Sequence, residues 1–120
     1  MYDSLFEPKT VAIIGASQDP AKIGNAILVN LVGSGYKGKI IPVNPSSKEI
    51  LGIPTVPSMD SLMEEPDLVV IALPASKAAE SLKSCIKVGA KFVILIAGGF
   101  SETGKKLLAF WYSLQIDADT

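Results

Sequence analysis

The sequence has no histidine and no arginine, and only one cysteine and one tryptophan. Without histidine the chain lacks the commonest general base and the commonest metal ligand, and no phosphohistidine can form on it. Cys85 alone cannot make an internal disulfide, and nothing else points to an oxidising compartment. Eleven lysines stand against 12 Asp and Glu, a net charge of -1, so there is no basic excess to draw nucleic acid or an anionic membrane. No apolar run approaches the roughly 18–20 residues that cross a bilayer. The opening MYDSLFEPK has neither a basic n-region nor an apolar h-region. These absences predict a cytoplasmic protein with no nucleic-acid partner, no membrane partner and no metal.

Hydrophobic residues make up 48% of the 120, enough for a buried core in about one domain. Apolar β-type runs alternate with helix-like stretches. TVAIIGA (10–16), KIIPVN (39–44), DLVVIAL (67–73) and KFVILIA (91–97) read as strands. Such uninterrupted apolar runs fit parallel strands buried on both faces. Pro42 cannot donate a ladder hydrogen bond, which places the second strand at an edge or an irregular position. Residues 21–34 carry Ile23, Ile27, Leu28, Leu31 and Val32 at helical spacing, and Gly33, Gly35 and Gly38 stop and turn the chain. Residues 46–57 read as a loop, and Ser58 is a candidate cap for a short helix to about Glu64. A helix is expected over 76–88, with Ser76 as N-cap, Ala79, Leu82 and Ile86 inward, Cys85 a small core residue, and Gly89 closing it. A last helix is expected over 101–115 from the stripe Leu107, Phe110, Trp111 and Leu114. The order predicts an α/β fold, a Rossmann-like doubly wound and mainly parallel sheet.

In such sheets ligands sit beyond the carboxyl ends of the strands. Four segments lie there. After the first strand, Gly15 permits a tight turn, small Ala16 and Ser17 let backbone N–H groups approach an anion, Lys22 adds charge, and Gly24 opens a helix whose N-terminus is positive. A plain strand-to-helix turn would also favour glycine and serine. After the second strand comes Val43-Asn44-Pro45-Ser46-Ser47-Lys48. After the third, Pro74 and Ala75 leave carbonyls free to accept from an adenine amino group. After the fourth, Gly99, Phe100, Ser101 and Glu102 offer backbone N–H groups, an aromatic ring and a carboxylate, or equally a helix cap.

The spacing departs from the dinucleotide fingerprint G-x-G-x-x-G, and the second strand does not end in the acid that holds an NAD ribose. Lys48 suits a phosphate better than a free diol; the other reading is a solvated surface charge. The chemistry favours an extra-phosphorylated nucleotide, CoA or less well NADP, whose phosphate commonly meets an arginine that this chain lacks.

In this order and spacing IIGAS…IG, IPVNP, LVVIALPA and GGFSETG resemble the N-terminal CoA-binding domain of NDP-forming acyl-CoA synthetases. That group includes ADP-forming acetyl-CoA synthetase and is related to the succinyl-CoA synthetase α subunit; the domain also opens some protein acetyltransferases. The resemblance runs from about Leu5 to Gly104. It implies a CoA-binding domain over 1–104, with CoA or acyl-CoA as ligand. Gly15, Ala16, Ser17, Lys22 and Gly24 would receive its phosphates. Val43, Asn44, Pro45 and Lys48 would border the adenosine and its 3′-phosphate. Pro74 and Ala75 would flank the adenine or the pantetheine entrance, and Gly99, Phe100, Ser101 and Glu102 would approach the pantetheine arm.

Residues 105–120, a helix and tail, depart from the family pattern, in which a longer helix and a further strand lead to a G-P-N-C-type turn. The family's catalytic histidine belongs to a later domain. The chain therefore reads as a stand-alone, truncated or excised module with no catalytic residue of its own, and the catalytic ligase domain or subunit is an expected partner. The parent reaction implied is conversion of acyl-CoA, ADP and phosphate to acid, CoA and ATP. The missing fifth strand would leave one edge or face of the sheet uncovered; the Phe110-Trp111-Tyr112 cluster could cover it, or meet a second copy or a catalytic subunit, so self-association, or instability, is expected. The alternatives are an NADP-binding oxidoreductase fragment and a stand-alone CoA-sensing or regulatory protein. Against the first, neither Tyr36 nor Tyr112 has a lysine four residues on.

Overall fold

A computed structural model describes residues 8–97 and 108–113. Four parallel strands make the sheet: β1 (Thr10–Ile14), β2 (Lys39–Val43), β5 (Leu68–Ile71) and β6 (Phe92–Ala97), joined at one edge by β7 (Leu108–Ser113) in the order β2-β1-β5-β6-β7. A small antiparallel hairpin, β3 (Glu49–Ile50) and β4 (Ile53–Pro54), follows β2. Helix α1 (Ile23–Gly33) joins β1 to β2, and helix α2 (Ala75–Lys87) joins β5 to β6. The fold is the expected Rossmann-like α/β sheet, mainly parallel. No helix among the described residues is long and apolar enough to cross a membrane.

The central strands lack polar alternation because both faces are covered. Successive residues point to opposite sides, so each strand feeds two cores. Ala12, Ile14, Val69, Ile71 and Val93 pack with Ala78 and Cys85 of α2, whereas Val11, Ile13, Leu68, Val70 and Phe92 pack with Leu28 of α1. The two helices therefore lie on opposite faces. The chain winds one way from β1 to β2 and the other from β5 to β6, so the strand order reverses between β1 and β5. In the four apolar runs read as strands, Ile13, Ile14, Ile41, Val69, Val70, Ile71 and Val93 are buried as expected of two-sided strands; Ile94 and Leu95 are half-buried. Pro42 sits on the edge strand β2, opposite Ile13, where a missing donor costs least.

Several expectations are corrected. Residues 108–113 are not helical: β7 runs antiparallel along β6, from Phe92 opposite Ser113 to Ala97 opposite Leu108. The edge of β6 is thus paired, which removes the physical ground for expecting self-association through it. In α2 the inward residues are Ala78, Leu82 and Cys85, whereas Ala79 and Ile86 are exposed. The N-cap position is Pro74, not Ser76, and no side chain caps the helix. On α1, Val32 is exposed. The region 46–57 contains the β3–β4 hairpin, and only Met59–Ser61 form a short 3-10 turn where a helix to Glu64 was expected; Ser58 precedes that turn without capping it.

Candidate functional site

The point where the strand order reverses is built from two glycines. Gly15 leaves β1 with φ of 91°, a left-handed conformation that favours glycine. A Cβ there would lie 2.9 Å from the carbonyl carbon of Ala72, at the end of β5. Gly24, in the first turn of α1, stacks on Gly15: a Cβ on Gly24 would lie 2.7 Å from the Gly15 carbonyl carbon. The helix start, the β1 turn and the end of β5 thus meet backbone to backbone. Ala72 N–H donates to Ile14 O at 2.8 Å and closes the ladder there.

Two asparagine side chains hold the turn open. Asn44, just past β2, donates through Nδ2 to Ala16 O at 2.9 Å, and the buried Asn25 of α1 donates to Ser17 O at 3.0 Å. Both carbonyls are drawn into protein hydrogen bonds. Further on, Ser17 Oγ accepts from Asp19 N–H at 3.0 Å and Asp19 Oδ1 from Ala21 N–H at 2.9 Å, which shapes the approach to α1. Of the first four N–H groups of α1, those of Asn25 and Ala26 bond to Lys22 O; those of Ile23 and Gly24 have no protein acceptor among the described residues.

Beside these groups lies a cavity of about 530 Å³, lined among others by Gly15, Ser17, Lys22, Gly24, Pro74 and Lys77. Both helices begin on it. Neither has an acidic residue in its first turn. Instead Lys22 occupies the N-cap of α1, and Lys77 the first turn of α2. A cation at a helix N-terminus is repelled by the helix dipole. Two such cations at one cavity, with the helix N–H groups and the Ser17 hydroxyl, make a donor set whose chemistry suits a polyanion such as a diphosphate.

A second cavity, of about 330 Å³, shares Gly15 and Leu73 with the first. It runs along the α2 face and is lined by Ile14, Ala16, Val43, Asn44, Pro45, Pro57, Ser58, Met59, Ser81 and Ser84. Aliphatic walls with a few hydroxyls and one amide suit a nucleoside better than an anion. Two other cavities do not fit a nucleotide. One carries the carboxylates of Asp60, Glu64 and Glu65 against the single ammonium of Lys87, and would repel phosphate. The other is apolar, lined by Val11, Ile27, Leu31 and Tyr36, and includes Gly38 and Leu68 at the amino ends of the strands.

The structure brings Gly15, Ala16, Ser17, Lys22, Gly24, Val43, Asn44, Pro45 and Pro74 to these two adjoining cavities. Ala75 is the first residue of α2. Lys48 is exposed on the segment between β2 and β3 and lines neither cavity. Gly99, Phe100, Ser101 and Glu102 lie outside the described residues. The sequence reading missed Lys77, Ser81 and Ser84, and with them Pro57, Ser58 and Met59. For Lys77 a signal was present, a basic residue in the first helical turn after a proline. For the serines there was none, because their direction depends on the rotation of α2. No group of three His, Cys, Asp or Glu among the described residues is placed to hold a metal ion.

Comparison with known proteins gives the family. The chain is 42% identical over 102 residues to acetate–CoA ligase (ADP-forming) II of Archaeoglobus fulgidus, covering 85% of this chain and 15% of that protein. It is 42% identical over 108 residues to the α subunit of acetate–CoA ligase (ADP-forming) I of Pyrococcus furiosus, covering 87% and 23%. Among solved structures, dinucleotide-forming acetyl-coenzyme A synthetase 1 of Ca. Korarchaeum cryptofilum, in complex with phosphate and ADP, superposes with a TM-score of 0.79 at 39% identity, over 87% of this chain and 22% of that one. The chain thus spans less than a quarter of the length of these relatives. They do not favour an NADP-binding oxidoreductase or a stand-alone sensor. Residues 9–110 match the family described as CoA binding domain. With a Rossmann-like, mainly parallel sheet and two adjoining cavities where its strand order reverses, the chain belongs to the CoA binding domain family.

Proposed function

We propose that the chain binds CoA across the two adjoining cavities, as the CoA-binding module of an ADP-forming acid–CoA ligase. One observation carries the reading: two helix N-termini and the two lysines Lys22 and Lys77 converge on a single cavity at the reversal of strand order. The diphosphate occupies that cavity. The adenosine extends into the second, between Val43–Pro45 and Met59 on one side and α2 on the other. Lys48, beyond Pro45 along the same segment, meets the phosphate on the ribose. The pantetheine arm leaves past Pro74 and Ala75 toward Gly99, Phe100, Ser101 and Glu102.

Acid–CoA ligation itself belongs to a partner domain or subunit in this reading. Phosphoryl relay needs a nucleophile with an activating partner, and this chain has no histidine. Its one thiol, Cys85, is fully buried on the inner face of α2 and its pKa is pushed up to about 12 by that burial, so it is neutral near pH 7.

Calorimetric titration of the chain with CoA, dephospho-CoA, NADPH and ADP-ribose tests the reading. CoA is expected to bind, with NADPH and ADP-ribose weaker by about tenfold or more. The purified chain is expected to form no ATP from acetyl-CoA, ADP and phosphate. NADPH binding as tightly as CoA would overturn the ligand; ATP formation would overturn the division of labour.

A further inference from the structure

Lys48 lies on a segment whose backbone is tied from three sides. Asn44 Oδ1 accepts the N–H groups of Ser46 and Ser47, at 2.7 and 2.9 Å. Thr55 N–H donates to Lys48 O at 3.0 Å, and the Thr55 hydroxyl donates to Ser47 O. The third tie comes from across the site. Gln18, in the loop after β1, donates through Nε2 to Ser47 Oγ at 3.3 Å and to Glu49 O at 3.1 Å. Ser47 and Glu49 are the two chain neighbours of Lys48. One amide thus grips the segment on either side of the lysine and links it to the Gly15–Ser17 turn. The Lys48 ammonium makes no ion pair among the described residues.

We infer that Gln18 is a positioning residue for Lys48, and that it sets the preference of the site for a nucleotide carrying a phosphate on its ribose over the same nucleotide without one. The inference rests on the placement of Lys48 proposed above. A lysine has a long, mobile side chain, so its contact with a phosphate is only as favourable as its backbone is fixed beforehand. Thr55 fixes the segment to its hairpin. Asn44 joins the start of the segment, at Ser46 and Ser47, to Ala16 of the turn proposed to receive the diphosphate. Gln18 alone among the three reaches from the loop after that turn to both chain neighbours of Lys48. It therefore fixes where Lys48 stands relative to the turn, and so the distance between the two phosphate-binding groups, which a nucleotide with both kinds of phosphate must match. Gln18 is itself exposed, so its loss leaves both cores intact.

The test compares affinities of the full chain for CoA and dephospho-CoA, by calorimetry, in the parent, Gln18→Ala, Gln18→Glu, Lys48→Ala and the double variant Gln18→Ala/Lys48→Ala. Gln18→Glu keeps the length of the side chain but cannot donate to the Glu49 carbonyl. Lys48→Ala is expected to lower the preference for CoA over dephospho-CoA by about tenfold or more, the loss of a charge-assisted contact. Gln18→Ala is expected to lower it by about 2–10-fold, the range of a neutral hydrogen bond, with dephospho-CoA affinity unchanged; Gln18→Glu, whose new carboxylate also repels the shared diphosphate, is expected to weaken both ligands and CoA the more. In the Lys48→Ala background, Gln18→Ala is expected to change the preference no further. Equal loss for both ligands on Gln18→Ala would overturn the inference, since it would make Gln18 part of the common site. So would an undiminished effect without Lys48. If Lys48→Ala leaves the preference unchanged, the placement of Lys48 itself fails, and the role of Gln18 with it.

Discussion

Gly24 rests on the peptide of Gly15, with room for a hydrogen where a side chain would begin. The two glycines do different things. Gly15 turns the chain in a left-handed conformation and lets β1 end against Ala72. Gly24 has ordinary helical geometry, and its only special demand is closeness. That closeness brings the first turn of α1, with its unpartnered N–H groups, to the mouth of the cavity.

Gly24→Ala is therefore expected to be harmful although alanine is the better helix former. The new methyl group meets backbone, which cannot rotate away, and α1 must shift. A loss of about 1–3 kcal/mol is expected from overpacking of this kind, read as a drop of several degrees in the thermal midpoint. CoA affinity should fall with it, because the N–H groups of Ile23 and Gly24 move. Gly33→Ala is the control, since a Cβ there meets nothing within 4 Å. A Gly24→Ala chain as stable as the parent would show that the contact is not close in solution.

Lys22 and Lys77 are expected to behave alike and unlike Lys48. The diphosphate is common to CoA and dephospho-CoA, so replacing either lysine by alanine should weaken both ligands by the same factor, about tenfold. The preference between the two ligands should not change. Both lysines are exposed, so their contribution should shrink as salt is added. In the free protein each ammonium opposes a helix dipole, so each alanine variant should be no less stable than the parent without ligand. A variant that weakened CoA but spared dephospho-CoA would move that lysine to the ribose phosphate.

The sheet and its ligand edge were legible because they rest on strong local signals. Runs such as VAII and LVVI leave no polar face, which fits only strands covered on both sides. Gly15, Asn44 and Pro74 stand directly after such runs. What was not legible depended on rotation or on distant partners. Cys85 and Leu82 were legible as core, but Ala79 and Ile86 were put on the inner face of α2 where Ala78 stands, and Ser81 and Ser84 were not seen to face a cavity. LAFWYS carries apolar residues that satisfy either a helical or an extended period. The backbone groups of β6 decide between them, since an unpaired strand edge offers β7 a full ladder that a helix there would not use. Gln18 was not singled out because its hydrogen-bond partners are some thirty residues away, Ser47 and Glu49.

The buried thiol predicts how stability changes at alkaline pH. Cys85 is 0% exposed, among Ala12, Val69 and Val93, and burial pushes its pKa from 9.0 to about 12. Below about pH 9 the thiol keeps its proton in the folded and unfolded chains alike and contributes no slope. Between about 9 and 12 the unfolded chain releases a proton that the folded chain retains. The unfolded state then binds fewer protons, so stability falls as pH rises, and the fall ends above the folded value. Tyr36 adds to the same limb above its ordinary 10.0, because burial and then the nearby Asp67 carboxylate raise its pKa, while its hydroxyl donates to Pro8 O at 2.6 Å. Urea unfolding from pH 7 to 11 should therefore show a plateau and then a decline that begins near pH 9. In Cys85→Ala the decline should begin about one unit later, where Tyr36 takes over. Iodoacetamide at pH 8 should label the folded chain far more slowly than the urea-unfolded one, because only the thiolate reacts and the fold keeps it protonated and enclosed. Labelling at equal rates, or identical alkaline limbs for parent and variant, would place Cys85 outside the core.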